Sequence, residues 1–532
     1  MKKLSALFIG VILMVTLLAG CGGTNNPDSG KDPEPPVELE FPDKIVSFSF
    51  WDTDIATQGD AETLANKVKR MGYTGADITF RWTRLEHEKG VYGFRYIDAV
   101  LDAFAEKGLF LSVSFMYWTV GIGWTDEIEL QKLPDGTVYT FSGRGSSPSL
   151  SDENTLNVMK NTYAAFTKHV YERYPNQVFR MHARTSQYGE LEYFCDAPDM
   201  LDYGEPAIAN FRAYLKRIHD SVEDLNYAAA GDKTFASFDE LETLGGKELS
   251  DTFFFDWQNF RQEECLKVSA MFQQVQKENA PGVPFALQVG CIWDQAAATR
   301  RGIIDPYLAS KACDILHTDD GPGFNHNFSM DYSDVDGTVK QASEIDGLWH
   351  PLIQSEINGG DRTLTLYRRQ ATGMGKKGIA YLNIANWAGG INDWSEQLAT
   401  IPTSFQEAQV RQAADKSTVI LINTADMFVK GISAAAMYEN THARLSSNGE
   451  KQVRFVSDTQ LLEHPELLGE IEEINLGYIT GLYTMRAELA ALLRSQGKVL
   501  TYDKNSTANF SVENEYGYAF PNEEKPTFAA SK

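Results

Sequence analysis

Two stretches place carboxylates where a reaction is feasible. "RTSQYGELEYF", residues 184–194, sets Gln187, Glu190 and Glu192 just past the β-rich run "NQVFRMHA". "LIQSEINGG" carries Glu356 at the end of an apolar run, directly before Asn-Gly-Gly. A buried strand rarely tolerates that density of charge, so both stretches belong at strand ends. Two carboxyl groups flanking one bond are what cleavage of a glycosidic link needs: one protonates the leaving oxygen, the other attacks or activates water. Metal-assisted chemistry has no comparable support, since there is no HExxH and no clustered histidines. No cofactor is called for either, because no Walker A loop occurs and the domain after residue 405 carries no GxGxxG.

The elements that must position these groups follow from periodicity. Between residues 41 and 400, short β-like runs alternate with amphipathic helical runs, the pattern of a parallel α/β fold. "KIVSFSFWD", "GADITFRW", "FLSVSFMYW", "QVFRMHA", "PFALQVG", "DILHTDD", "PLIQSE" and "GIAYLNIANW" read as strands. "AETLANKVKRMGY" and "RYIDAVLDAFAEKGL" are among the helices between them. Eight strands with crossovers predict a (β/α)8 TIM barrel, with residues 200–260 as its main insertion. Polar and aromatic residues gather at the C-terminal strand ends: Trp51, Asp52, Arg81, Trp82, Tyr117, Trp118, Glu190, Gln288, Asp319, Asp320, Glu356 and Trp387. Such barrels keep their active sites at that end, so Arg81, Trp82, Gln288, Asp320 and Trp387 are candidate substrate contacts. Each taken singly is compatible with loop or packing roles; their repeated placement carries the weight.

A smaller α/β domain of flavodoxin-like type is expected over 405–502, from "STVILINTADM", "QVRFVSD", "IEEINLGY" and the helix-to-strand run "TMRAELAALLRSQGKVLTY". The tail, 503–532, reads as irregular. At the other end, "MKK", the apolar "LSALFIGVILMVTL" and "LAGC" have the form of a bacterial lipoprotein signal over residues 1–21, with Cys21 the lipidated residue. Residues 22–40 are a flexible Gly- and Pro-rich linker. The expected location is therefore the bacterial cell envelope, outside the cytoplasm and anchored by lipid alone.

Composition narrows the partners. The chain has 532 residues, 43% hydrophobic and 23% charged, with a net charge of −25. Such a polyanion repels phosphate, which excludes nucleic acid and anionic lipid. Aromatic residues make up 12%, enough either for large cores or for stacking on sugar rings. Cys195, Cys265, Cys291 and Cys313 are too widely spaced for a zinc ribbon or redox pair and read as small buried hydrophobes.

The unit "FRWTRLEHEKGVYGFRYIDAVLDAFAEKGL" resembles the second barrel unit of family 42 glycoside hydrolases (β-galactosidases), with their W-x-x-x-E-x-x-x-G-x-Y-x-F string running from Trp82 to Phe94. "IANFRAYLKRIHDSVEDLNYAAAGDKTFASFDELE" is similar to the insertion that follows that family's acid/base residue. The resemblance implies a retaining hydrolase of β-linked, galactose-containing oligo- or polysaccharides, and a C-terminal domain that forms a homo-oligomer, a trimer. Its acid/base glutamate lies in an "NEYG" string. Alignment on Tyr-Gly puts Gln187 there, whereas alignment on chemistry selects Glu190, which also matches the "GELRY" string of β-amylases. Glu190 is accordingly the expected acid/base and Glu356 the nucleophile, with Glu192 in reserve. "NEYG" itself recurs at Asn514–Gly517, beyond any barrel strand, and is read as coincidence. A non-catalytic carbohydrate-binding lipoprotein and an inverting, amylase-like hydrolase remain as alternatives.

Overall fold

The computed structural model describes residues 41–532, apart from 142, 144, 187–188, 195–196, 230–232, 244, 291–299, 304, 321–339, 346–367, 369–370, 377, 386–394, 411–416, 425–440, 442–443, 446–451, 478–479, 499, 503–506, 514–518, 522–527 and 531–532. Cys21, Gln187, Glu356, Trp387, Cys195 and Cys291 therefore lie outside the described residues.

Strand and helix alternate as the periodicity predicts: β1 Ile45–Trp51, α1 Gln58–Arg70, β2 Gly75–Arg81, α2 Arg95–Ala105, β3 Phe110–Met116, α3 Glu153–Arg173 and β4 Val178–Arg184. After α4 Glu205–Ile218 and α5 Phe254–Asn279 come β5 Phe285–Val289, β6 Ile315–Asp320, β7 Lys340–Ile345 and β8 Tyr381–Ala385. The eight strands close into one parallel barrel in the order β1-β8-β7-β6-β5-β4-β3-β2. Local signals set the helix ends. Thr57 and Asp60 form a reciprocal capping box on α1, and Asp152 caps α3. In α2, Ile97, Val100, Leu101 and Phe104 recur at helical spacing and are fully buried, each contributing roughly 1.5–3 kcal/mol of burial.

The seventh strand is a correction. "PLIQSE", residues 351–356, was the expected strand, but the slot beside β6 and β8 is filled by residues 340–345, in register from Ile315↔Lys340 and from Tyr381↔Ala342. "KQASEI" is polar for a barrel strand, which hid it from a reading that looked for apolar runs.

Alternation along the strands separates two environments. Val46, Phe48 and Phe50 face the helices, and Ser47 and Ser49 face inward. The same rule turns Asp77, Ser112, Arg180, His182, Arg184, Gln288, His317 and Asn383 into the barrel, all buried. Barrels of this kind usually fill that space with branched apolar side chains; this one fills it with a polar network. Asp77 accepts from Ser49 at 3.3 Å, Asn383 at 3.2 Å, Arg184 at 3.1 Å and Ser112 at 2.5 Å. Burial and the nearby Arg180 and Arg184 hold His182 and His317 well below the usual imidazole range, so both are neutral. An apolar plug of Ile45, Phe179, Ile315 and Tyr381, with Phe41 and Phe110, closes the end where the strands begin.

Two further sheets follow, from β9 Ser417–Ile422, β10 Gln452–Ser457, β11 Ile471–Asn475, β12 Thr480–Arg486, β13 Leu500–Tyr502, β14 Thr507–Glu513, β15 Ala519–Pro521 and β16 Phe528–Ala530. Five of these order as β10-β9-β11-β13-β16, while β12, β14 and β15 form a second small sheet. The stretch from 503, expected to be irregular, thus supplies three strands. Val419, Leu421, Val456, Ile474 and Leu489 form this region's own apolar cluster.

The barrel meets that region through acids. Asp305, which caps the short helix Pro306–Ser310, is buried with Asp458 of the helix Asp458–Glu463. Burial first, then the charge of Asp458, pushes Asp305 from 3.8 up to about 7. The backbone N–H groups of Tyr307 and Leu308 and the Thr459 hydroxyl oppose that push, and Ser457 lies 3.5 Å away. Asp458 is itself raised by burial, against Arg486. A carboxyl raised on folding contributes stability that is complete below 3.8 and is lost as the pH rises through about 7. Asp305→Asn, which still caps a helix, should therefore unfold at higher urea than the wild type at pH 8 and lose that advantage at pH 4. A midpoint difference independent of pH would show that the pair does not hold the proton.

Candidate active site

The stretch after β4 is a tight turn fixed by its own backbone. Thr185 and Ser186 N–H groups both donate to the Glu190 carbonyl, at 2.9 and 3.0 Å. The Thr185 hydroxyl donates to the Glu192 carbonyl at 2.9 Å and accepts from the Glu192 N–H at 2.8 Å. Gly189 holds φ at +107°, and a Cβ there would sit 2.5 Å from Arg184 Nη1, so only glycine fits between the turn and the interior network. Leu191 turns into the core, and Glu190 and Glu192, two residues apart, face the same way.

They face Arg301. Its Nη1 lies 2.9 Å from Glu190 Oε1 and 2.6 Å from Glu192 Oε1, and both carboxyls are buried. The Ser186 hydroxyl donates to the other oxygen of Glu190 at 3.2 Å. The turn is tied to the same neighbours by backbone: Leu191 N–H donates to the Gln288 carbonyl and Tyr193 N–H to that of Arg301. Arg261 of α5 donates to the carbonyls of Leu201 and Arg300 and lies over the Tyr193 ring, fixing the approach of Arg301. A Cβ at Gly290 would fall 1.9 Å from Arg301 Nη1, so the glycine after β5 clears the guanidinium's path.

Two carboxylates on one guanidinium would leave a net buried negative charge, which the surroundings resist. Burial pushes the Glu192 carboxyl up to about 8, with Arg301 opposing and the charge of Glu190 adding to the push. Near neutrality the Glu192 carboxyl is therefore protonated.

The other expected contacts are distributed differently. Arg81 and Arg84 both bind Asp52, at 2.7 and 2.8 Å, and Arg81 remains partly exposed at the end of β2. Trp82 is a correction: its ring is fully buried between Tyr117 and Trp124, and its indole N–H donates to Glu86 at 2.7 Å. No ring face is left for a sugar. The long W-x-x-x-E string thus fixes a structural contact. Gln288 is buried at the end of β5 beside the Glu190 turn, and its Oε1 has no hydrogen-bond partner among the described residues. Asp320 ends β6, paired with Ile345. Glu356 and Trp387 lie outside the described residues, so the structure neither joins them to Glu190 nor separates them from it. Arg301 was missed by the sequence reading, and "TRRGIID" after a strand was the available signal. Among the described residues, no group of His, Cys, Asp and Glu could hold a metal ion. Among the described residues, Cys265 and Cys313 are buried free thiols, and no helix is long and apolar enough to cross a membrane.

A beta-galactosidase of Arthrobacter sp is 24% identical over 246 residues, which is 45% of this chain and 33% of that protein. The chain thus spans about a third of the length of that curated relative. The crystal structure of a beta-galactosidase from Marinomonas ef1 superposes with a TM-score of 0.63 at 13% identity, covering 89% of this chain and 77% of that one. That of Rahnella sp. R3 gives 0.64 at 14%, covering 92% and 74%. At such identities the likeness shows the barrel fold. The family model described as beta-galactosidase, glycoside hydrolase family 42, matches residues 54–320, from the loop after β1 to the last residue of β6; the chain belongs to that family.

Proposed function

We propose that the protein is a retaining glycoside hydrolase of β-linked, galactose-containing saccharides, with Glu190 as acid/base and Glu356 as nucleophile. The observation that carries this reading is the buried pair Glu190 and Glu192, both held by Arg301 Nη1, at the C-terminal mouth of a family 42 barrel. The names of the relatives supply the β-galactoside. In the first step Glu190 gives its proton to the leaving oxygen as the Glu356 carboxylate bonds to the anomeric carbon. In the second, Glu190 takes a proton from water, whose oxygen displaces Glu356. Arg81, Gln288, Asp320 and Trp387 contact hydroxyls and ring faces.

Proton NMR of the first-formed sugar tests the reading: the β-anomer should appear before mutarotation. An α-anomer appearing first would establish the inverting, amylase-like alternative. The reading as a binding protein without turnover has one observation behind it, the near-complete burial of Glu190 against a cation. Saturable binding of galactosides with no release of reducing sugar would establish it.

The reading includes location and assembly: Cys21 carries the lipid, the protein faces outward from the bacterial membrane, and residues 405–502 assemble a homo-oligomer, a trimer. Cys21→Ser should move the protein from the membrane to the soluble fraction with activity intact and an oligomeric mass by light scattering. A wild type already soluble in its bacterial host rules out the anchor, and a monomeric mass rules out the assembly.

A further inference from the structure

Glu192 and Arg301 have no role in the two-step reaction as written, yet they are held as tightly as Glu190. One guanidinium nitrogen contacts both carboxyls, Arg261 fixes the backbone that delivers it, and two glycines, 189 and 290, clear the space. A structural ion pair needs one carboxylate; this one has two, buried. We infer that Glu192 and Arg301 are positioning residues that bind a single proton together with Glu190, so that they decide at which pH the acid is loaded. This inference rests on Glu190 being the acid.

Among the described residues, the charged and titratable groups facing Glu192 are Arg301, Glu190 and, from α5, the Cys265 thiol, which burial holds neutral. With the cluster singly protonated, its two carboxyls and one guanidinium sum to zero charge, the form that burial favours. Transfer of that proton to the leaving oxygen leaves the cluster at −1. The water that completes the reaction restores the proton, so the cluster is unchanged over one turnover. Above the pH at which the proton leaves spontaneously, the acid is empty and kcat/KM falls. That alkaline limb belongs to the whole cluster.

The two neighbours therefore displace the limb in opposite directions. Glu192→Gln leaves Glu190 alone with Arg301, so the proton is lost earlier and the alkaline limb moves to lower pH. Arg301→Met leaves two buried carboxyls without a cation, which hold the proton longer, and the limb moves to higher pH. Each shift should be about one pH unit or more, a tenfold change in proton affinity. Should Arg301→Met fail to fold, Gly290→Ala, which drives the guanidinium aside, should move the limb upward as well. A structural role alone would lower the rate and leave the limbs in place, and that result would overturn the inference. Glu190→Ala, assayed beside them, separates the two claims. If it is inactive while the limbs of the other variants stay fixed, only the positioning role falls. If it turns over like the wild type, the acid assignment falls and takes this inference with it.

Discussion

On the proposed roles of acid/base and nucleophile, Glu190→Ala and Glu356→Ala should fail in different ways. Removal of the nucleophile stops the first step for every substrate, so Glu356→Ala should lose turnover of all glycosides by on the order of 10⁴-fold or more. Removal of the acid costs about 10²–10⁴-fold on a natural saccharide, whose leaving oxygen needs a proton. An aryl glycoside with a good leaving group does not need that proton, so Glu190→Ala should still form the glycosyl-enzyme and then stall. Azide should release the stalled sugar as a glycosyl azide of retained configuration, a product that mass spectrometry and NMR identify. Retention requires carboxyls roughly 5–5.5 Å apart, whereas roughly 6.5–9.5 Å admits a water and inverts. If Glu356→Ala retains activity, the nucleophile belongs elsewhere. The register gives a reason to check, because β7 at 340–345, and not the run ending in Glu356, fills the seventh slot. Wild-type activity of Glu190→Ala on a natural saccharide would transfer the acid to Glu192 first.

Asp77→Ala should produce the largest loss of stability. Asp77 is fully buried in the barrel and receives Ser49, Ser112, Asn383 and Arg184 from four different strands. Its removal leaves the Arg184 guanidinium buried without this partner, and breaking such a pair costs about 3–5 kcal/mol, a large share of a typical total of roughly 5–15 kcal/mol. Urea unfolding should show a lower midpoint at an unchanged slope. Asp77→Asn keeps the shape and part of the hydrogen bonding, so its loss should be smaller. Because Arg184 packs directly under Gly189, Asp77→Ala should also disturb the turn that carries Glu190 and lower kcat/KM at temperatures where the protein is still folded. A loss below about 1 kcal/mol, the scale of one ordinary hydrogen bond, would mean that the interior network does not brace the barrel.

Local sequence determined seven of the barrel's eight strands, because their signals are local. Ser-Phe alternation in "VSFSF" separates an inner face from an outer one, helical spacing in "RYIDAVLDAF" marks a buried stripe, and Thr57 with Asp60 announces a helix start. The Glu190 turn was legible for the same reason, since Gly189 and two glutamates past a strand end are read without knowing any distant partner. Family membership was legible in the string from Trp82 to Phe94, but the role of Trp82 was not. Whether a ring faces solvent or Tyr117 depends on packing from other elements. The seventh strand escaped because its polar residues satisfy hydrogen-bond register with β6 and β8, which no local hydrophobic signal encodes. Arg301 lies more than a hundred positions from the carboxyls it bridges. Its meeting with Glu190 and Glu192 exists only once the barrel closes and the Gly290 and Arg261 contacts aim it. Only the tertiary structure decided that two buried glutamates share one cation.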